Sequence, residues 1–296
     1  MQPSSRSGQS PARHPGRHRF ILAVMAAVAM LCGAAVGHVQ ADDQLDLADF
    51  ELTFAEDFDR LDATAWGETK SRWITHTPWN GDFGDARFHD PWDGFPFTTK
   101  DGILQIEARK GADDVWRSGL LASTNPKGEG FSQAFGYFEV RMKMPAGDGV
   151  WPAFWLIGID RTKFTAEIDV IEYYGHAPQQ FQSGFHVWRQ GEGAQHTNAG
   201  VTTAVAPGSL SADYHTYGVE IRSDTVTFYL DRKAIGNFAR PPEFDMPFFP
   251  LVNLALGGGW PIDRTPNPSF LLVDHVHVYK RKPGSMEAGL HLPAKP

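Results

Sequence analysis

The segment AEIDVIEYYG, residues 166–175, sets Glu167, Asp169 and Glu172 within six positions. Around them stand Ile168, Val170, Ile171, Tyr173 and Tyr174, residue types that suit a pleated, half-buried strand. On a strand alternate side chains share a face, so Glu167 and Asp169 point together while Ile168 and Val170 point into a core. Strict alternation turns Glu172 inward, where an unpaired carboxylate is costly. One extra residue near Val170 and Ile171, a β-bulge, returns Glu172 to the acid face, and the sequence predicts that bulge.

Five steps at about 3.3 Å make about 16 Å of strand, shortened to about 13 Å by a bulge. Two glutamates leaning toward each other by about 4 Å each bring their carboxyls to about 5 Å. At that separation one carboxylate can attack an anomeric carbon while the other protonates the leaving oxygen. Three acids on one face cannot all ionise cheaply, so one keeps its proton to higher pH. Glu172 is the expected proton holder, Glu167 the charged nucleophile, and Asp169 the neighbour that orients Glu167, the three titrating as a coupled set. Spacing alone leaves two other readings open: a calcium site, and a solvated face of an edge strand.

The chain around this segment reads as strand as well. In GYFEVRMKM, Phe138, Val140, Met142 and Met144 share one face, and Tyr137, Glu139, Arg141 and Lys143 the other. GILQIEAR puts Leu104, Ile106 and Ala108 together. YGVEIRSDTVTFYLD predicts two strands around a turn at Ser223 and Asp224, with Val219 and Ile221 answering Val226, Phe228 and Leu230. FLLVDHVHVYK predicts a long last strand. No long amphipathic helix and no internal repeat interrupt the pattern, so the expected fold is an all-β sandwich or jelly roll in one domain. Residues 72–97 depart from it: RWITHTPWNGDFGDARFHDPWDGFPF is dense in Trp, Gly, Pro and Asp. It reads as a long ordered loop, either a binding loop or the cover of a sheet edge.

Residues 1–19 carry Arg6, Arg13, Arg17 and Arg19 and no acid, and an apolar, small-residue run follows to Gly37. This is the pattern of a secretory signal peptide over residues 1–41, with cleavage expected after Ala41. The exported part, residues 42 onward, then holds 23 basic against 35 acidic residues, a net charge of −12. Such a chain is poorly suited to nucleic acid or to anionic lipid. Cys32, its one cysteine, leaves with the signal, so neither disulfides nor thiol chemistry are expected. A catalytic domain over residues 42–282 and a disordered tail over 283–296 complete the expected organisation.

Three stretches then take on a shared meaning. GYFEVRMKMPAGDGVWPAFWLIG, EIDVIEYYG and PLVNLALGGGWP follow one another in the order and spacing of glycoside hydrolase family 16. LTFAEDF resembles that family's first strand and FLLVDHVHVYK its last. The resemblance implies a concanavalin-like jelly roll of two curved antiparallel sheets, an open cleft for a polysaccharide, and double-displacement chemistry that retains anomeric configuration. It places Glu167 on the nucleophile, Asp169 on the assisting acid and Glu172 on the acid/base. The bulged E-x-D-x-x-E spacing resembles laminarinases, agarases and bacterial exopolysaccharide hydrolases, rather than plant transglycosylases or lichenases.

The same likeness offers Trp151, Trp155, His186, Asn253 and Trp260 as substrate contacts. For the tryptophans and His186 a place in the core is the plain alternative. Asp57 and Asp274 match acids that hold a structural calcium in several relatives, and a surface role is their alternative. No cofactor is expected for the chemistry. Gly257, Gly258 and Gly259 are expected to allow close backbone approach rather than to bind phosphate, since no strand–GxGxxG–helix context surrounds them. The leading expectation is a secreted or periplasmic monomer, a retaining endo-β-glycanase on β-1,3- or mixed β-1,3/1,4-glucan. A depolymerase or transglycosylase on a bacterial exopolysaccharide is the first alternative, and a non-catalytic glucan-binding module the second.

Overall fold

The computed structural model describes residues 44–284 except Thr69 and Glu192. The expected signal peptide, and the expected tail apart from Pro283 and Gly284, lie outside the described residues. In chain order the strands are β1 (Phe50–Glu56), β2 (Ala63–Thr64), β3 (Trp73–Ile74), β4 (Arg87–Phe88), β5 (Phe97–Lys100), β6 (Ile103–Lys110), β7 (Trp116–Ser118), β8 (Leu120–Ala122) and β9 (Gly136–Lys143). They continue as β10 (Val150–Gly158), β11 (Phe164–Glu172), β12 (Gln180–Arg189), β13 (Thr197–Ala204), β14 (His215–Ile221), β15 (Thr225–Leu230), β16 (Lys233–Ala239), β17 (Phe248–Leu256) and β18 (Ser269–Arg281). Among the described residues the one α-helix is a single turn, Ser209–Ala212.

Two sheets result. The larger runs β16-β15-β14-β9-β18-β6-β7-β4, with β1 also on β18 and β5 on β6; the other runs β13-β12-β11-β10-β17-β8-β3-β2. Pairing is antiparallel except in two two-residue ladders, β2 with β3 and β4 with β7. Both exceptions involve the non-periodic residues 72–97, so the sheets are mixed at their margins rather than wholly antiparallel.

The core lies where period 2 puts it. Phe138, Val140 and Met142 of β9 are fully buried, as are Leu104, Ile106 and Ala108 of β6. They meet Phe154 and Leu156 of β10, Ile168 of β11 and Val252 of β17 in one apolar cluster between the sheets. The predicted hairpin closes with Val219 opposite Phe228 and Ile221 opposite Val226.

The other face of β9 is not the solvated face its Glu, Arg and Lys imply. Tyr137 and Glu139 are both fully buried there. Tyr137 packs with Leu45, Phe50, Tyr229 and Tyr279. Glu139 accepts two hydrogen bonds from Arg232, at 2.8 and 3.0 Å. Burial pushes the Glu139 carboxyl up, but the neighbouring His275 and the Arg232 guanidinium outweigh it and hold it at about 2. Arg232 stands at φ 61° in the two-residue turn between β15 and β16. A side chain in that region is tolerated at a cost, and this one neutralises a buried acid.

Candidate active site

The acids sit on the face of the eight-stranded sheet turned away from the core, and the strand reaches that state through the predicted bulge. Against β12, Asp169 faces Gly184 and the next pair is Glu172 with Gln182, so three steps on β11 match two on its partner. Against β10 the same slip separates Trp155–Asp169 from Phe154–Ile171. Val170 and Ile171 both enter the core, at 1% and 0% exposure, and Glu172 emerges beside Glu167 and Asp169.

Each glutamate has one oxygen fixed by an indole. Trp188 Nε1 donates to Glu167 Oε2 at 2.7 Å. Trp151 Nε1 and the Tyr174 hydroxyl both donate to Glu172 Oε1, each at 3.1 Å. The remaining oxygen of each carboxyl is left for chemistry. Asp169, between them and 6% exposed, faces His186 Nε2 at 3.4 Å, and His186 Nδ1 lies 2.9 Å from His196 Nε2. His186, Trp188 and His196 form one ring stack, Trp188 and His196 being 3.8 Å apart and almost parallel.

Burial pushes all three carboxyls up. It takes Glu167 to about 8, with the charge of Asp169 adding to the rise and His186 and Trp188 opposing it. Asp169 is raised well above the usual carboxylate range, by burial and then by the charge of Glu172. Glu172 is raised by burial against the donors Trp151 and Tyr174. Asp169 has neither an indole nor a phenol donor among its hydrogen-bond partners, whereas Glu172 has both. Glu172 still keeps a raised value, as a proton donor needs. A raised carboxyl favours the folded state below its unfolded value and loses that contribution as pH rises through the folded value. Between about pH 4.5 and pH 8 the native protein keeps the Glu167 proton while the unfolded chain, where the group sits near 4.5, releases it, so stability falls across that window. In Glu167→Gln that fall is gone. Thermal melts should show the variant more stable than wild type at pH 8, with the two converging near pH 4; equal melting temperatures at both pH values would contradict the arrangement.

The other expected contacts divide. His186 lies in the site, and Trp260, 49% exposed, stands at its rim with its ring 4.0 Å from His176. From Glu172 a ladder of rings runs outward through Trp151, Tyr174, His176 and Trp260. Trp151 itself is 6% exposed and holds the acid by its N–H. Asn253 is fully buried and does not reach the open cleft; Trp155, at 7% exposure, is as enclosed as Asp169 and Trp151, lies opposite Asp169, and donates from Nε1 to Asn253 Oδ1 at 2.8 Å. Their cover comes from residues 72–97. Trp79 and Phe83 pack edge-on against Trp155, and Phe83 against Trp151. That loop is thus part of the site's wall, although Trp73 within it is core and Trp92 is exposed. Two of the three glycines serve close approach as expected: a Cβ on Gly258 would lie 2.8 Å from the Trp151 ring and one on Gly257 would meet Asp85, whereas Gly259 has nothing within 4 Å.

Sequence reading missed Trp188, Tyr174, His196 and Arg161. The Arg161 guanidinium stacks 3.8 Å over Trp79 and Nε reaches Thr165 Oγ1 at 3.4 Å. Trp188 was within reach of period-2 reasoning, because it follows His186 by two on β12 and shares its face. A hydrogen bond to a charged group is worth about 1.5–3 kcal/mol. Trp188→Phe, which keeps an aromatic ring and removes the N–H, should lower kcat by about 10- to 100-fold. A kcat within twofold of wild type would remove Trp188 from the machinery.

Asp57 and Asp274, expected as calcium ligands, each face a different side chain, an imidazole and a guanidinium. Asp57 Oδ1 lies 2.8 Å from His277 Nε2, and Asp274 pairs with Arg141. Among the described residues the group of three metal-ligating side chains is Glu139, His275 and His277, and neither aspartate belongs to it. Asp57 and Asp274 thus stand beside His277 and Arg141 rather than in a shared group of three acidic side chains among the described residues.

A two-sheet jelly-roll sandwich with a bulged row of three acids on the open face of one sheet defines a protein class in which aromatic rings frame a carboxylate cleft. The family model for glycosyl hydrolases family 16 matches residues 85–271, more than half of the chain, and the chain belongs to that family. It is 29% identical over 272 residues to the endo-1,3-1,4-beta-glycanase EglC of Rhizobium meliloti, covering 84% of this chain and 54% of the relative. It is 30% identical over 267 residues to the glucan endo-1,3-beta-glucosidase A1 of Niallia circulans, covering 80% of this chain and 39% of that protein. The chain thus spans about half or less of the length of these curated relatives. The laminarinase catalytic domain from Thermotoga maritima shares the fold with a TM-score of 0.63, at 24% identity, over 79% of this chain and 99% of that one.

Proposed function

We propose that the chain is an exported, retaining, endo-acting β-glycanase that hydrolyses β-1,3- or mixed β-1,3/1,4-glucan. The observation that carries this reading is the paired fixing of Glu167 and Glu172, each by one oxygen, on the same face. Glu167, once ionised, attacks the anomeric carbon through its unfixed oxygen. Glu172 gives its proton to the departing glycosidic oxygen, and the bond to that oxygen breaks. Glu172, now a carboxylate, takes a proton from water, and the resulting hydroxide character displaces Glu167 and restores both groups. His186 and Asp169 tune the charge of Glu167 between the two steps. The names of the relatives from Rhizobium meliloti and Niallia circulans support a β-1,3- or β-1,3/1,4-linked substrate. The basic start and apolar run of residues 1–41 support export.

One feature favours a second substrate. No ion pair joins Arg161 to a carboxylate of the described residues, and the stacked guanidinium stands near enough to Glu167 to feel its charge. A fixed, unpaired guanidinium suits an acidic substituent, as an exopolysaccharide can carry. The test is product release from laminarin, lichenan and an acidic bacterial exopolysaccharide. Oligosaccharides from either glucan, with β-configured reducing ends at first release, support the first reading. Silence on both glucans with cleavage of the acidic polymer transfers the assignment, and α-configured ends would exclude retention.

A further inference from the structure

The neighbours of Asp57 and Asp274 lead to a different donor set on the opposite side of the molecule. His275 and His277 alternate on β18, so both rings stand on the face of the ten-stranded sheet turned away from the core. Glu139 lies directly opposite His277 on the neighbouring β9. One donor atom from each of the three falls within 4.8 Å of the others. We propose that Glu139, His275 and His277 bind a divalent ion of the zinc class, and that Asp57 orients the His277 imidazole rather than touching the ion.

The nitrogens are arranged for this. His277 Nε2 faces Asp57 Oδ1 at 2.8 Å, and His275 Nδ1 faces Asp274 Oδ2 at 3.7 Å. At 2.8 Å the Asp57 carboxylate keeps the N–H of His277 on Nε2 and leaves the lone pair of Nδ1 pointing inward, the usual support of a metal-binding histidine, whereas at 3.7 Å Asp274 acts on His275 by charge alone. His275 Nε2 is buried, has no hydrogen-bond partner, and lies 3.5 Å from Glu139 Oε1. Ligands about 2.1 Å from a tetrahedral ion stand roughly 3.4 Å apart, so this pair is already at the required spacing. The Tyr279 hydroxyl, 3.2 Å from both His277 Nδ1 and Glu139 Oε1, is the neighbour the ion displaces from the histidine.

Charge allows the ion. Arg232 and Arg141 face three acids here, Glu139, Asp57 and Asp274, so the cluster is one charge negative with both histidines neutral. Arg232 binds Glu139 and weakens the site, but a carboxylate can bridge a guanidinium and an ion. Two imidazoles and one carboxylate select zinc, cobalt or nickel over calcium, which requires an oxygen cage. The ion would tie β9 to β18, with Asp57 drawing in the end of β1, and so stabilise the sheet remote from the acids of β11.

Calorimetry and thermal melts on chelator-treated protein test this with Zn2+ alone, then Ca2+ alone. One Zn2+ per chain is expected, and a melting temperature higher by about 5–10 °C at a hundredfold excess over Kd. Ca2+ should give no such rise. His275→Gln and His277→Gln should each lose the rise, while His196→Gln, in the cleft, keeps it. If a variant fails to fold, Co2+ added to wild type decides, through the visible absorption of a low-coordinate nitrogen and oxygen site. No saturable Zn2+ binding, a rise that survives His275→Gln, or a Co2+ spectrum of the hydrated ion would each overturn the proposal.

Discussion

Glu167→Ala should lower turnover of a susceptible glucan by about 10⁵-fold, because the reaction loses the atom that forms its covalent intermediate. Folding will not explain the loss. The substitution removes a carboxyl that burial makes costly to ionise, and the Trp188 N–H it frees is at a half-open face. Added azide gives the decisive readout. It fits the space the side chain leaves and attacks the anomeric carbon from the same side, with Glu172 still present to protonate the leaving oxygen. The product is a glycosyl azide of inverted, α configuration, visible in its anomeric proton coupling. Residual activity within tenfold of wild type, or a β-configured azide, would show that Glu167 is not the nucleophile.

Glu172→Gln probes the partner. Gln can still accept from Trp151 and Tyr174 through its amide oxygen, so the ladder of rings stays in place. What disappears is the proton, worth about 10²- to 10⁴-fold in general acid catalysis. On a glucan, whose leaving alcohol needs that proton, the full loss is expected. A dinitrophenyl glycoside needs no protonation, so its first step should survive while the second, which needs Glu172 as base, slows. A burst of dinitrophenolate followed by a slow steady state is the signature. The basic limb of the pH profile on glucan should flatten in the same variant. Equal losses on both substrates without a burst would assign the acid elsewhere.

Much of this was legible because the cost of burying charge is severe. Glu172 could not sit in the core, so the bulge at Val170 and Ile171 followed from spacing, and the acid face followed from the bulge. Phe138, Val140 and Met142 were equally plain, since alternation and burial agree on β9. Tyr137 and Glu139 were not, because their cover comes from Leu45, Phe50 and Arg232, distant in sequence. The burial of Asn253 and the cover over Trp155 were hidden for a similar reason: Trp79 and Phe83 reach Trp155 from a stretch with no period to read. Asp57 and Asp274 were legible as candidate ligands in a linear pattern; the register of β18 against β9, which sets histidines between them and the nearest buried acid, was not.

The extra residue in β11 also bears on how this site can change over generations. Losing one residue from between Asp169 and Glu172 would leave the acids at alternate positions, and plain alternation would then keep all three outward. Gain or loss of a single codon there is consequently a milder event than exchanging any one of the acids.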